Sequence, residues 1–376
     1  MGVLAAFVGF ASSFAVVLQG LVAVGATPAQ SASGLMALSI AMGLCGIVLS
    51  YGPRLPVSVA WSTPGSALLV TTGAVEGGFA GAVGAFLVCG VLIVIAGMWK
   101  PLANAVSRIP GPLANAMLAG ILVGLCFAPF KAVATYPVFG SVILAAWILV
   151  GAWRRLWAVP AALVAFVLIV AVGIELPNGA VETLGEALMP RVEIVTPTFV
   201  PATIIGLGLP LFVVTMASQN IPGIAVLSGN GYPLTPGKWF RVTGIASVLA
   251  APFGGHAVNL AAITAALCAG EDAHADRGRR YWAALVAGAF YVLFGLLVGV
   301  VIAFVTLAPA LLIQAVAGLA LIPAFASASV AAFEKPETRE AAAVTFLFAA
   351  SGVSILGVSG AFWGLLAGGA VMALRR

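Results

Sequence analysis

The sequence predicts an all-α polytopic membrane protein of about fourteen transmembrane segments, arranged as 7+7 inverted repeats, with broken strand-plus-half-helix segments in third and tenth place. Three observations predict it. The first is composition. Apolar residues make up 62% of the chain, charged residues 7%, and mean hydropathy is +1.19. A soluble domain carries about 25% charged residues, so this chain has too few to cover a water-facing surface. The second is a succession of apolar segments, most near the ~20 residues of a bilayer crossing. The third is the position of the basic residues along that succession.

The first segment, 3–25, has no basic region before it and is too long for a signal-peptide core, so it reads as a membrane helix. The second, 30–50, opens after Thr27-Pro28. The third, 55–73, contains Leu55-Pro-Val-Ser-Val-Ala-Trp-Ser-Thr-Pro-Gly-Ser-Ala-Leu-Leu69. It starts as a strand-like run and turns into a helix-forming one, with prolines that bar one continuous helix. Segments 78–99, 111–130, 137–153 and 158–174 complete a first repeat, residues 1–175. An external loop, 176–198, follows and is acidic (Glu182, Glu186, Glu193, with Glu175 at its edge). The second repeat, 199–376, holds segments 199–219, 238–253, 255–270, 281–307, 309–332, 341–357 and 358–374. Its third member is again broken: Gly254-Gly-His-Ala-Val-Asn-Leu-Ala-Ala-Ile-Thr-Ala-Ala-Leu267. The last two are divided only by Gly357 and Gly360.

Charge placement tests the count. With the N-terminus in the cytoplasm, that side receives Arg54, Lys100, Arg108, Arg154, Arg155, Lys238, Arg241, Arg277, Arg279, Arg280, Lys335, Arg339, Arg375 and Arg376. The outside receives Lys131 and Arg191. One missed crossing would scramble this split, so the positive-inside rule supports both the count and cytoplasmic termini. Trp99, Trp153, Trp157, Trp239 and Trp282 lie within two residues of these basic residues and read as an interfacial belt. An odd number of segments per half forces opposite orientations on the halves, hence inverted repeats. Faint echoes agree: Gln19 precedes Pro64, and Gln219 precedes Thr264, by the same 45 residues, and Thr235-Pro236 matches Thr27-Pro28. Small-residue spacings at Gly120/Gly124, Gly295/Gly299 and Gly364/Gly368 suggest close helix packing.

Chemistry-bearing residues are few. Between Glu193 and Glu271 there is no carboxylate, and His256 is the ionisable side chain expected inside the membrane core. Such a residue is a functional candidate by default, here for proton coupling, the alternative being that it only braces the break. Paired interrupted segments point to a transport site, and helix starts at mid-membrane offer unpaired N–H groups and partial positive charge to an anion. The expected donors are backbone amides around Ser62–Ser66 and Leu260–Thr264, with side chains at Ser62, Thr63, Ser66, Asn259 and Thr264. The substrate-binding set is therefore Gln19, Ser62, Thr63, Gly65, Ser66, Gln219, Asn220, Asn259, Leu260, Ala261, Ala262 and Thr264. The hydroxyls could instead bond their own backbone, and the amides of Gln19, Gln219 and Asn220 could brace the broken segments. Phe7, Phe10 and Phe14 share a helix face and would wall a ring pocket or pack against neighbours. Gly357-Val-Ser-Gly360 has the form of an intramembrane serine protease motif, but a serine nucleophile needs a histidine in reach, and His256 belongs to the broken segment. The cysteines Cys45, Cys89, Cys126 and Cys268 are scattered through apolar runs and read as packing residues. No metal-ligand spacing and no cofactor motif is present in the sequence.

Three stretches, Leu55 to Gly65, Ser218-Gln-Asn-Ile-Pro-Gly-Ile-Ala-Val-Leu227 and Gly254 to Cys268, resemble the signatures of the benzoate membrane transporters, the BenE family of benzoate:proton symporters. The resemblance runs over nearly the whole chain. It implies a bacterial inner-membrane carrier distantly related to the uracil permease and sulfate transporter folds. It further implies a core domain (about 1–99 and 199–307) moving like an elevator against a gate domain (about 100–174 and 308–376). The implied partners are benzoate, protons and the bilayer, with a homodimer as one assembly, and without nucleic acid or cofactor. Uracil-type relatives use carboxylates on the eighth and tenth segments, which are missing here. An uncoupled anion channel or exchanger on the same scaffold is the alternative reading. An enzyme is not expected, since no paired catalytic groups are visible.

Overall fold

The structure is a computed structural model, described for residues 1–99, 101–102, 109–173, 185, 189, 191–261, 263–355 and 358–374. Ala262, Glu175, Glu182, Glu186, Lys100, Arg108, Gly357, Arg375 and Arg376 lie outside the described residues. The chain is an all-α membrane protein carrying small two-stranded sheets. Among the described residues, seven helices are long and apolar enough to cross a membrane, and eight if one bent pair counts as a single span.

The first half comprises α1 (Gly2–Ala11), α2 (Phe14–Ala23), α3 (Pro28–Tyr51), β1 (Val59–Trp61), α4 (Thr63–Thr72), α5 (Gly78–Met98), α6 (Gly111–Cys126), α7 (Ala128–Thr135), α8 (Pro137–Trp153) and α9 (Ala158–Leu168). The second half comprises α10 (Pro201–Gly229), α11 (Pro236–Ala250), β2 (Val258–Leu260), α12 (Ile263–Ala269), α13 (Tyr281–Leu296), α14 (Val298–Thr306), α15 (Ala310–Phe333), α16 (Arg339–Ala350), β3 (Ser354–Ile355), β4 (Val358–Ser359) and α17 (Gly360–Leu374). Helices fall in each expected apolar interval, but those of several intervals are too short to span alone.

Local chemistry explains the irregularities. Thr27 caps α3 in a reciprocal box with Gln30, at 3.2 and 2.9 Å. Within α10, π-helical turns at Ile204–Gly208 and Met216–Asn220 precede Pro210 and Pro222. The ring of a helical proline collides with the carbonyl four residues back. Those carbonyls, Gly206 and Ser218, lie inside the widened turns, where the clash is relieved. The interval expected as one rod at 281–307 is instead bent by 59° between α13 and α14, at a break flanked by Gly295 and Gly299. The last two intervals are parted by the hairpin of β3 and β4. Ser359 therefore sits in that hairpin, immediately ahead of α17.

Glycine lets the core helices touch. A Cβ at Gly43 would lie 2.5 Å from the Gly288 carbonyl, and one at Gly288 would lie 2.7 Å from the Gly43 carbonyl, so α3 and α13 approach backbone to backbone. The expected packing role holds at Gly120, Gly295, Gly364 and Gly368, where an added Cβ would come within 3.0 Å of a neighbouring element. Gly124 is the exception and faces open space. In the aromatic belt, Trp99, Trp153, Trp157 and Trp282 are exposed. Trp239 is buried, with Lys238 Nζ 5.5 Å from its ring centre, so it belongs to the packing of α11. The four cysteines are buried and unpaired.

Candidate functional site

The two broken segments meet. β1 and β2 pair antiparallel, with Val59 opposite Leu260, Ala60 opposite Asn259 and Trp61 opposite Val258. Each strand satisfies backbone groups that the other leaves free, which is what unwound chain at membrane depth requires. The pairing continues outward: Ser62 N–H donates to the Ala257 carbonyl at 3.0 Å, and Ala261 N–H to the Ser58 carbonyl at 3.0 Å. Pro56 and the turn at Gly254 (φ +92°) admit the chain to these strands, and Pro64 starts α4.

Side chains lock the crossing. Ser62 caps α4 by accepting the Gly65 N–H at 3.1 Å, and its oxygen also accepts the Thr215 hydroxyl from α10 at 2.9 Å. Ala257 N–H donates to His256 Nδ1 at 2.6 Å, so the neutral ring carries its proton on Nε2. Nε2 donates to Ser66 Oγ at 2.8 Å, and that hydroxyl donates to the Ser62 carbonyl at 3.1 Å. A chain of bonds thus runs from the second broken segment to the cap of the first. Phe86 closes over the imidazole edge-on, ring centres 6.1 Å apart.

Other expected site residues also turn inward. Asn220 Oδ1 accepts the Leu260 N–H at 2.9 Å, and its Nδ2 lies 3.2 Å from Met216 Sδ. Thr264 and Ser58 share a hydroxyl bond at 2.7 Å. Asn259 Nδ2 donates to the Leu260 carbonyl at 3.0 Å, while its Oδ1 is buried without a partner among the described residues. Gly65 is held tightly, since a Cβ there would meet Leu211 Cδ1 at 2.6 Å. Thr63 and Gln219 are half-buried and make no side-chain hydrogen bond among the described residues.

The expectation of free amides therefore needs correction. Those of Gly65, Leu260 and Ala261 are already taken, by Ser62, Asn220 and Ser58. The reason is desolvation: an unpaired amide in a sealed crossing costs several kcal/mol, on the order of 2–7, and nearby serine and asparagine oxygens remove that cost. Ser62, Ser66, Asn220, His256 and Asn259 are all fully buried. Phe10 and Phe14 stack on each other at 5.4 Å, and Phe10 packs on Trp61 at 5.5 Å and Phe294 at 5.1 Å. They support β1 rather than wall an open pocket, and Trp61 Nε1 donates to Ser13 Oγ at 2.8 Å.

Sequence reading missed Ser13, Ser58, Thr215 and Ser247. Ser247 on α11 donates to the Val258 carbonyl at 3.1 Å and accepts the Val258 N–H at 2.8 Å. A hydroxyl in the middle of an apolar segment was the available signal, but most such hydroxyls bond their own helix, as Ser39 does to Leu35 at 2.7 Å. Gln19 is not at the crossing. It lines a cavity of about 180 Å³ between α2, α4, α6, α7 and α15. A larger cavity, about 430 Å³, lies between α3 and α11, but its lining is apolar throughout and offers nothing to a charged group.

The family profile described as benzoate membrane transport protein matches residues 1–374. The chain is 40% identical over 375 residues to the inner membrane protein YdcO of Escherichia coli (strain K12), covering 98% of this chain and 93% of that protein. It is 32% identical over 368 residues to the benzoate membrane transport protein of Acinetobacter baylyi, covering 98% and 92%. The fold is shared with the transmembrane domain of a cyanobacterium bicarbonate transporter, BicA, at TM-score 0.57 and 15% identity, covering 98% of this chain and 96% of that one. Murine Solute Carrier 26 family member A9, an anion transporter in the inward-facing state, matches at TM-score 0.57 and 13% identity, covering 100% and 68%. A crossing of two broken segments, on a fold shared with anion transporters and under a profile spanning nearly every residue, places this chain in the benzoate membrane transport protein family, a family of transporters and not of enzymes.

Proposed function

We propose that this protein is a secondary active transporter that imports benzoate across a bacterial inner membrane together with protons. The observation that carries the reading is the antiparallel crossing of β1 and β2, each leading into a half-helix. Such a pair is what a two-fold axis lying in the membrane plane generates from inverted repeats. In this reading the chain makes about fourteen crossings as 7+7 repeats, with both termini cytoplasmic. Residues 1–99 and 199–307 form the core, and 100–174 and 308–376 form the gate. The core carries the substrate past the gate as an elevator. Ser62, Thr63, Gly65, Ser66, Gln219, Asn220, Asn259, Leu260, Ala261, Ala262 and Thr264 are the proposed substrate contacts at the crossing, and Gln19 is a proposed contact in the cavity beside it. Since the crossing is sealed, loading requires that core and gate part.

Energetics explain the proton. An aromatic acid with a pKa near that of a carboxyl side chain, about 4, is anionic at pH 7. Importing the anion against an inside-negative potential costs about 2.3 kcal/mol per 100 mV, and one accompanying proton cancels that term. Two routes exist. On His256, the proton must displace the Ala257 N–H from Nδ1. On the substrate, a carboxylic O–H finds a ready acceptor in the orphaned Asn259 Oδ1. Uptake of labelled benzoate into proteoliposomes under an imposed pH gradient, with uracil and sulfate as competitors, tests the whole reading. Saturable, gradient-driven uptake that neither competitor blocks is expected, and voltage-dependent current without saturation would favour an uncoupled channel. His256→Gln then separates the routes, because intact proton-coupled uptake excludes His256 as carrier.

A further inference from the structure

We propose that the outer cavity holding Gln19 is a second anion site, an entry vestibule that takes the aromatic carboxylate before it reaches the crossing. The inference rests on the transport reading above and adds residues to it. Three side chains make the polar wall: Gln19 from α2, Gln314 from α15 and Lys131 from α7. Gln19 Nε2 is shut away from solvent and has no acceptor among the described residues. Gln314 makes no hydrogen bond among the described residues, and Lys131 has no carboxylate within ion-pair distance among them. No acidic side chain lines the space. Gln314 and Lys131 offer N–H donors to a cavity that no carboxylate lines, which suits a carboxylate, a group that carries acceptors only. Val70, Leu125 and Leu311 supply apolar wall for a ring. Room comes from Gly124, where an added Cβ meets nothing within 4 Å.

The cavity adjoins the crossing. Val70 lies one turn of α4 beyond Ser66, the residue bonded to His256. Gly20, beside Gln19, packs so closely on α4 that a Cβ would sit 2.6 Å from the Ser66 carbonyl. In the proposed division, Gln19 and Val70 belong to the core while Lys131 and Gln314 belong to the gate. A carboxylate held here bridges the two bodies, and their sliding apart hands it toward the crossing.

The test is the kinetics of labelled benzoate uptake by the full-length protein in vesicles, with substrate added from the Lys131 face. Lys131→Gln is expected to raise KM about tenfold, the scale of one lost charge-assisted contact, with the effect on KM rather than Vmax. Lys131→Arg restores KM. Gly124→Val, which fills the cavity from a position whose Cβ strikes nothing, raises KM as Lys131→Gln does. Wild-type KM in Lys131→Gln, or a loss confined to Vmax, overturns the vestibule and leaves the transport reading standing. A wild type that takes up no aromatic carboxylate overturns both.

Discussion

Replacing Ser62 with Ala removes the hydroxyl on which two bonds of the crossing converge. The variant loses the cap on the Gly65 N–H, worth about 1 kcal/mol. It loses the bond from Thr215, on the scale of roughly 0.6 kcal/mol for side-chain pairs inside membranes. It also strands the Thr215 hydroxyl, which is fully buried, at about 1–3 kcal/mol. The expected sum is roughly 3–5 kcal/mol. The double variant Ser62→Ala/Thr215→Val removes the stranded donor and regains that third contribution, so it is more stable than Ser62→Ala alone. The assay is a double-mutant cycle on thermal unfolding of purified, detergent-solubilised protein, reading the four midpoints together. A double variant less stable than Ser62→Ala would refute the reasoning, because it would mean that Thr215 does not depend on Ser62 for its acceptor.

Asn220→Leu leaves the buried Leu260 N–H unpaired and should destabilise by about 1–3 kcal/mol, whereas Asn220→Asp keeps an acceptor at that place; comparing the unfolding midpoints of the two checks that the amide oxygen matters and not side-chain volume. Gly43→Val and Gly288→Val each drive a side chain into the opposing backbone of α3 or α13, so both should lower the yield of monodisperse protein on size exclusion, while Gly124→Val does not. Cys89 and Cys268 have no exposed surface, so a water-soluble maleimide should leave them unmodified in the folded protein and react once it is denatured; labelling of the native state at the denatured rate would show the packing to be wrong.

What the structure adds to the transport picture is how costly polar backbone survives inside the bilayer. The unwound stretches are not held open for a ligand in this arrangement. They are stitched to each other by strand pairing and to α10 and α11 by Thr215, Asn220 and Ser247. On the proposed reading, loading a substrate at the crossing would exchange protein hydrogen bonds for substrate ones, and the exchange would have to come close to balance for turnover to proceed.

Sequence alone determined the membrane class, the order of the apolar segments and the two breaks, because each is a local property. Hydrophobic length sets a span, and prolines such as Pro56 and Pro64 interrupt a helix whatever surrounds them. It also pointed to Ser62, Ser66, His256 and Asn259 as one neighbourhood, since paired broken segments must face each other or a wet cavity to satisfy their backbone. Only the tertiary structure decided which oxygen takes which amide. Asn220 lies 40 residues from the Leu260 N–H it accepts, and Thr215 lies 153 from Ser62. Such partners are chosen by how helices pack, a non-local outcome that periodicity cannot encode. The same holds for Gln19, legible as a polar residue in an apolar helix, whose neighbours Lys131 and Gln314 come from elements more than 100 residues away along the chain.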